Sequence, residues 1–144
     1  MKIHEIMTKE VLVAGPGQSI REAARMMAQY DTGALPVGDD NRLLGVITDR
    51  DIAVRAVAQG KSGDTPVSEV MSAEVLYCFE DEDVEHVTRN MGDVQVRRLP
   101  VMYRQKRLVG IVSIGDLSHQ ARPATTGSAV AEISRPGGAH TQSA

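Results

Sequence analysis

The stretch Gly45-Val46-Ile47-Thr48-Asp49-Arg50-Asp51 decides the fold, because it occurs twice in the chain. Its counterpart is Gly110-Ile111-Val112-Ser113-Ile114-Gly115-Asp116. Both copies read glycine, two β-branched residues, a hydroxyl residue, two variable positions and aspartate. A β-branched pair favours a strand, whereas Thr-x-x-Asp or Ser-x-x-Asp resembles a capping box at the start of a helix. Each copy therefore predicts a strand that runs directly into a helix.

The sequence on either side of this motif repeats as well. Ile6-Met7-Thr8 returns as Val70-Met71-Ser72, and Leu35-Pro36-Val37 returns as Leu99-Pro100-Val101, in both cases 64 residues later. The two glycine motifs are 65 residues apart, so one residue has been inserted in the polar stretch between Leu-Pro-Val and the glycine. A hairpin turn tolerates such an insertion. The chain therefore consists of two copies of one supersecondary unit.

Each copy predicts the element order β-α-β-β-α. The first copy has predicted strands at 11–13, 35–37 and 43–47, a helix capped by Ser19 with Glu22, and a helix from Thr48 to Val57. The second copy has predicted strands at 75–78, 99–102 and 108–113, a helix at 83–91 and a helix from Ile114. Helical spacing predicts these inward-facing side chains: Ile20, Ala23, Ala24, Met27 and Ala28 in the first copy, and Val84, Val87 and Met91 in the second.

The expected fold is α/β, with two β-α-β-β-α repeats packed together by pseudo-twofold symmetry. Neither repeat has enough apolar surface to be stable alone. Repeat 1 is expected over 1–60, a linker over 61–67 and repeat 2 over 68–122. Residues 123–144 form a tail rich in Pro, Gly, Ser, Thr and Ala, a composition typical of disorder.

Composition excludes several classes of function. The net charge is −3, which does not favour binding to the phosphates of nucleic acid. The chain has no tryptophan and one phenylalanine, so it offers few aromatic side chains on which bases could stack. Nucleic acid is therefore an unfavourable partner. Cys78 is the only cysteine, the first six residues lack the long apolar core typical of a signal peptide, and no apolar run reaches membrane-spanning length. We expect a soluble cytoplasmic protein that does not bind membranes. The histidines lack partners at metal-ligand spacing, and Cys78 has no paired base, so we expect no metal and no catalytic residue.

The junction between strand and helix in each motif suits a mononucleotide. A hydroxyl side chain and free backbone N–H groups at a helix start can hold a phosphate. An aspartate in the first turn can accept hydrogen bonds from both hydroxyls of a ribose. A single such motif is more often only a helix cap, but two of them at matching places in a repeat favour the binding hypothesis.

The chain resembles a known family, the tandem cystathionine-β-synthase-type (CBS) domain pair, from about Ile3 to Gln120. The resemblance rests on Met7-Thr8 and Met71-Ser72, on Leu-Pro-Val before each hairpin, and on the two glycine motifs. It implies two clefts between the repeats that bind adenosine compounds: AMP, ADP or ATP first, and NAD or S-adenosylmethionine as second choices. It also implies a homodimer.

The resemblance also implies a role for individual residues. Asp51 and Asp116 would hold ribose, Thr48 and Ser113 would hold phosphate, and the backbone at Ala34, Leu35, Pro36, Leu99 and Pro100 would line the adenine. The family often has a small hydroxyl residue where this chain has Val13 and Tyr77; the first removes a polar contact to the base, and the second adds stacking or obstruction. Arg50, Arg97 and Arg98 are unequally placed in the two copies, so we expect two non-equivalent sites, with Arg50 or Arg98 as the phosphate partner.

These observations favour a non-catalytic regulatory module that senses adenine nucleotides and signals to an unidentified effector protein. The alternative is a structural or interaction module that keeps the fold, binds no ligand and uses both motifs only as helix caps. A third hypothesis is that the chain is an enzyme, which would need an active site that the sequence does not reveal.

Overall fold

The chain forms two compact α/β units. In this computed structural model, the described residues are 1–40, 42–73, 76–104 and 107–136. One unit comprises Val11–Val75 and is called here the repeat-1 unit; the other comprises Met1–Glu10 and Leu76–Ala144 and is called the repeat-2 unit. Each has its own apolar core. The predicted α/β class is confirmed.

The repeat-1 unit is built around a hairpin and two helical segments. In chain order it contains α1 (Ile20–Tyr30), β1 (Ala34–Asp39), β2 (Arg42–Thr48) and α2 (Asp49–Asp51). The chain continues from α2 as a π-helical segment (Ile52–Ala56) and a 3-10 turn (Val57–Gln59), and it leaves the helix at Gly60, whose φ is 76°. β1 and β2 are antiparallel, which confirms the predicted hairpin. The helix predicted from Thr48 begins where expected but changes its hydrogen-bonding pattern after one turn.

The strand predicted at 11–13 is wrong. Pairing with β1 is limited to one bridge between Ala14 and Val37. The next residue, Gly15, donates its backbone N–H to the Gln18 side chain at 2.7 Å, and Pro16 has no N–H to donate. Pairing of this segment with β1 therefore ends after the single bridge at Ala14.

The α1 helix begins as predicted. The Ser19 hydroxyl accepts a hydrogen bond from the Glu22 amide at 3.1 Å, while the Glu22 carboxylate accepts from Gln18 at 3.2 Å. Half of the predicted capping box is therefore present. Ile20, Ala23 and Met27 are buried as expected, but Ala24 and Ala28 are exposed, so the buried stripe of the helix is narrower than predicted.

The repeat-2 unit has a three-stranded sheet. Its elements are β3 (Cys78–Phe79), α3 (Val84–Val94), β4 (Arg98–Met102), β5 (Leu108–Ser113), α4 (Ile114–Ser118) and α5 (Pro123–Ile133). The strand order is β3-β4-β5, with β3 parallel and β5 antiparallel to β4. Val84, Val87 and Met91 are buried, as predicted. Of the strand predicted at 75–78, Val75 lies outside the described residues, and pairing begins only at Cys78.

The expectation of a disordered tail is wrong for its first half. Pro123 occupies the first turn of α5, where its missing N–H costs nothing. The helix packs on α3, with Ala129 only 3% exposed, and the Gln95 side chain donates to the Glu132 carbonyl at 2.8 Å. Gly92 permits this contact, since a Cβ atom there would lie 2.9 Å from the Cα atom of Ala129. Residues 137–144 lie outside the described part of the chain.

Each sheet is extended by the opening segment of the other repeat. Thr8, from the start of repeat 1, pairs with Ile111 of β5, and Ser72, from the start of repeat 2, pairs with Val46 of β2. The motif glycines make room for this pairing. A Cβ atom on Gly45 would lie 2.5 Å from the Ser72 carbonyl oxygen, and one on Gly110 would lie 2.9 Å from the Thr8 carbonyl oxygen.

Replacing Gly110 by alanine should therefore destabilise the protein. The added methyl group would meet the Met7 sulfur at 2.6 Å as well as the Thr8 carbonyl. Overpacking of this kind costs about 1–3 kcal/mol, which would lower the midpoint of urea unfolding.

Gly127→Ala is the matched control, because no atom lies within 4 Å of a Cβ built at that position in α5. It should be neutral or slightly stabilising, since alanine favours a helix. Equal midpoints for Gly110→Ala and the unmodified protein would contradict the packing described above.

Candidate functional site

In the repeat-1 unit, Thr48 and Asp51 form a reciprocal pair at the start of α2. The Thr48 amide donates to Oδ2 of Asp51 at 2.9 Å, and the Asp51 amide donates to Oγ1 of Thr48 at 3.0 Å. Thr48 lies directly opposite Ala34 in the hairpin. The Asp49 amide, the next one along, donates to the Gly33 carbonyl at 2.9 Å, which ties the helix start to the beginning of β1.

The repeat-2 unit reproduces this arrangement almost atom for atom. The Ser113 amide donates to Oδ2 of Asp116 at 3.0 Å, and the Asp116 amide donates to Oγ of Ser113 at 3.1 Å. Ser113 lies opposite Arg98, and the Ile114 amide donates to the Arg97 carbonyl at 2.8 Å. Both motifs are therefore complete capping boxes, and each lies at the strand-to-helix junction that the sequence predicts.

Capping leaves hydrogen-bonding capacity on both partners. A carboxylate has two oxygens, and within the described part of the chain Oδ1 of Asp51 and of Asp116 accepts no hydrogen bond. A hydroxyl that accepts from an amide still has its own proton to donate. Each junction can therefore accept hydrogen bonds from a diol and donate one to an anion, while the cap stays intact.

The helices that follow the motifs are short. α4 has five residues, and α2 has three before the hydrogen-bonding pattern changes. A macrodipole is the sum of aligned peptide units, so these helices attract an anion only weakly. Binding of a phosphate here would depend on the hydroxyl and on nearby cations more than the sequence suggests.

The three arginines are unequally placed. All are exposed, and within the described ranges none forms an ion pair. Arg98 is directly across the hairpin from Ser113, so their side chains share one face of the sheet. Arg50 lies inside α2, between Asp49 and Asp51, and the residue opposite Thr48 is Ala34. The two junctions thus differ in charge.

The residues expected to line a base are strand residues near the junctions. Leu35, Pro36, Leu99 and Pro100 are buried and Ala34 is half-buried. Val13 is 36% exposed and precedes the bridge at Ala14, beside β1. Tyr77 is 41% exposed and precedes β3.

Sequence reasoning missed the side chains that surround Tyr77. Its ring packs at right angles to Phe79, and Arg104 lies over the Phe79 ring. The two-residue spacing of Tyr77 and Phe79 was a usable signal, because alternate residues of an extended segment share a face. Arg104 belongs to a predicted turn, and no sequence pattern connects it with β3.

Comparison with known proteins identifies the family. The sequence model of the CBS domain matches residues 3–57 and 67–121, once in each repeat. The chain belongs to the CBS domain family. It is a tandem CBS pair, the arrangement found in regulatory and binding modules.

The similarity extends over most of the chain. The CBS domain-containing protein YhcV of Bacillus subtilis is 44% identical over 133 residues, which cover 92% of this chain and 94% of that protein. Hypoxic Response Protein I, solved with two coordinated zinc ions, superposes with a TM-score of 0.76 and 34% identity, covering 83% of this chain and 98% of that one. The CBS pair of protein MJ0100, in complex with 5′-methylthioadenosine and S-adenosyl-L-methionine, gives a TM-score of 0.73 and 33% identity over 83% of this chain and 94% of that one.

The described residues offer neither a metal-binding cluster nor a membrane-spanning helix. Among the residues that the structure describes, three or more His, Cys, Asp or Glu side chains nowhere come together as a metal site would require. Over the same residues, every helix is too short or too polar to cross a bilayer.

Cys78 lies in the core of the repeat-2 unit and is 4% exposed. Burial, with a smaller contribution from the charge of Glu82, raises the pKa of this thiol to about 12. Only the thiolate is an effective nucleophile, so at neutral pH the side chain is inert.

We therefore predict that iodoacetamide labels the folded CBS pair at pH 8 far more slowly than it labels the protein unfolded in urea. Because Cys78 is the only cysteine, mass spectrometry of the intact chain reports on this residue alone. Labelling of the folded protein at the rate of a free thiol would contradict its buried position.

Proposed function

We propose that this CBS pair is a non-catalytic regulatory module that binds adenine nucleotides, of the AMP, ADP or ATP class, at its two glycine motifs. The observation that carries the proposal is the duplicated capping box, in which each aspartate keeps one oxygen free. Two binding sites would account for the fact that both caps leave a carboxylate oxygen free beside a strand that contains the same Leu-Pro step.

Each part of a nucleotide has a candidate partner. Oδ1 of Asp116 and of Asp51 would accept from the ribose hydroxyls, and the Ser113 and Thr48 hydroxyls would donate to phosphate. Arg98 would add a charge-assisted hydrogen bond in the repeat-2 unit, and Arg50 would do so in the repeat-1 unit. The MJ0100 pair supports an adenosine ligand, since it was solved with two adenosine compounds. S-adenosylmethionine and NAD remain second choices for this chain.

We also propose that the CBS pair signals to another protein. Ligand binding would shift the population of conformations of the pair, and an effector protein would recognise the change. A homodimer is part of the proposal, supported by exposed apolar side chains on the helical segment after α2: Val54 is 44% and Val57 is 68% exposed. Surface of this kind favours a protein partner.

A specific observation favours a second candidate function. In both units the hydroxyl and the aspartate already satisfy each other as a cap, so the motifs would be needed even without a ligand. The alternative is therefore a ligand-free interaction module. A thermal shift separates the two, because a ligand that binds only the folded state stabilises it by about 2.7 kcal/mol at 100 times its Kd.

Calorimetric titration with AMP, ATP, NAD and S-adenosylmethionine tests the proposal, using Asp116→Asn and Asp51→Asn. Asparagine has a single carbonyl oxygen, which can replace Oδ2 in the cap, but it offers no second acceptor to ribose. We expect each variant to keep its melting temperature and to lose affinity at its own site. A hydrogen bond to a charged group is worth about 1.5–3 kcal/mol, which corresponds to about a 10- to 150-fold loss.

Asp93→Asn is the control, since it removes the same charge from an exposed position on α3. Its affinity for each nucleotide should equal that of the unmodified protein. If no nucleotide gives saturable heat with the unmodified protein, the proposal is overturned and the ligand-free module takes its place.

A further inference from the structure

Four side chains of the repeat-2 unit form a connected series at the end of β3. The Asp81 carboxylate accepts three hydrogen bonds from the Arg104 guanidinium, from Nε at 3.1 and 3.0 Å and from Nη2 at 2.8 Å. The carbon of that guanidinium lies 4.1 Å from the centre of the Phe79 ring. The Phe79 ring in turn lies 5.5 Å from the Tyr77 ring, with 83° between the two planes. We call this series the aromatic brace.

The aromatic brace restricts the motion of Tyr77. A two-pronged ion pair orients a guanidinium, and the contact of that cation with the Phe79 ring restricts the ring in turn. The Arg104 guanidinium also holds the pKa of Asp81 below its ordinary range, so the ion pair stays charged at neutral pH. Two perpendicular rings can cover at most one face of each other. Tyr77 therefore keeps at least one face free of Phe79, and its side chain is 41% exposed.

Tyr77 lies on the same face of the sheet as the second glycine motif. Cys78 pairs with Val101, and both belong to the core. Since side chains alternate along a strand, Phe79 lies on the opposite face, together with Pro100 and Arg98, and the Tyr77 ring packs against Phe79 there. Arg98 pairs with Ser113, which places Ser113 on that face too. The register places Tyr77 beside Pro100, whereas Ser113 pairs with Arg98, two residues away on β4. Two strand spacings across the sheet and two residues along it give a separation of about 12 Å, which a nucleotide can bridge and a phosphate ion cannot.

Repeat 1 has no counterpart of the aromatic brace. Moved back by 64 residues, Tyr77, Phe79 and Asp81 correspond to Val13, Gly15 and Gly17. The turn at 38–41, which corresponds to the turn that carries Arg104, contains no cation. The two sites therefore differ where a base would lie, although their capping boxes are alike.

We propose that the repeat-2 site selects ligands with an aromatic base, which stacks on Tyr77, whereas the repeat-1 site recognises mainly the ribose phosphate. Asp81 and Arg104 act as positioning residues that hold Tyr77 in its stacking orientation. This inference rests on the nucleotide binding proposed above and assigns different ligand chemistry to the two sites.

The test compares AMP with ribose 5-phosphate, which lacks the base, by calorimetric titration of the full chain. The Asp51→Asn background weakens the repeat-1 site, so that the remaining heat reports on repeat 2. Tyr77→Leu should weaken AMP binding about 5- to 150-fold, the range for loss of one base–aromatic stack, and leave ribose 5-phosphate binding unchanged. Tyr77→Phe should restore AMP binding, because stacking does not need the hydroxyl.

Two further variants test the positioning role. Arg104→Gln should weaken AMP binding several-fold without changing ribose 5-phosphate binding, because the ring remains present but loses its support. Arg107→Gln removes an exposed cation from the same hairpin and should change neither affinity.

The outcomes separate the two proposals. If the unmodified protein binds AMP and Tyr77→Leu changes both affinities equally or changes neither, the base-selective site is overturned and nucleotide binding stands. If AMP binding persists and Arg104→Gln behaves like Arg107→Gln, the positioning role is overturned. If the unmodified protein binds no nucleotide, the proposed function fails and the base-selective site fails with it.

Discussion

Both halves of this CBS pair depend on a pair of hydrogen bonds between residues three apart. At Thr48–Asp51 and at Ser113–Asp116, the side chain of each residue accepts from the backbone amide of the other. At each place the strand ends at the hydroxyl residue, and the helix begins at the next residue. The two hydrogen bonds satisfy two backbone amides that would otherwise lack partners. The free carboxylate oxygen and the hydroxyl proton are left at a fixed point on the surface of the sheet. The geometry that stabilises the turn is thus the geometry that would hold a ribose phosphate.

The two repeats share this junction and differ in what surrounds it. In repeat 2, Arg98 lies across from the hydroxyl, and Tyr77 is supported by Phe79 and Arg104; in repeat 1, the position across is Ala34. Duplication therefore conserves the part that sets the chain direction, while the surrounding side chains diverge. If both proposed sites bind their ligands, this inequality would let the pair respond to the ratio of two ligands as well as to the amount of one.

Local features of the fold could be predicted from the sequence. Both hairpins and both capping boxes depend on residues close together in the chain, and they lie where the motif predicts. Three features depend on distant residues and could not be predicted. Thr8 pairs with Ile111, which lies about a hundred residues later in the chain. Asp81 forms its ion pair with Arg104 only because the folded sheet brings the two residues together. The α5 helix has few large apolar groups and depends on its contact with Gly92 of α3, so its composition alone suggested disorder.

In the binding mode proposed here, each cap aspartate stabilises the turn with one carboxylate oxygen and binds ribose with the other. A crystal structure of the protein grown with AMP would show whether one carboxylate does both. We expect the ribose hydroxyls within hydrogen-bond distance of Oδ1 of Asp116, while Oδ2 remains bonded to the Ser113 amide. AMP bound elsewhere, or an Asp116 carboxylate that keeps its cap and contacts only water at saturating AMP, would rule this binding mode out.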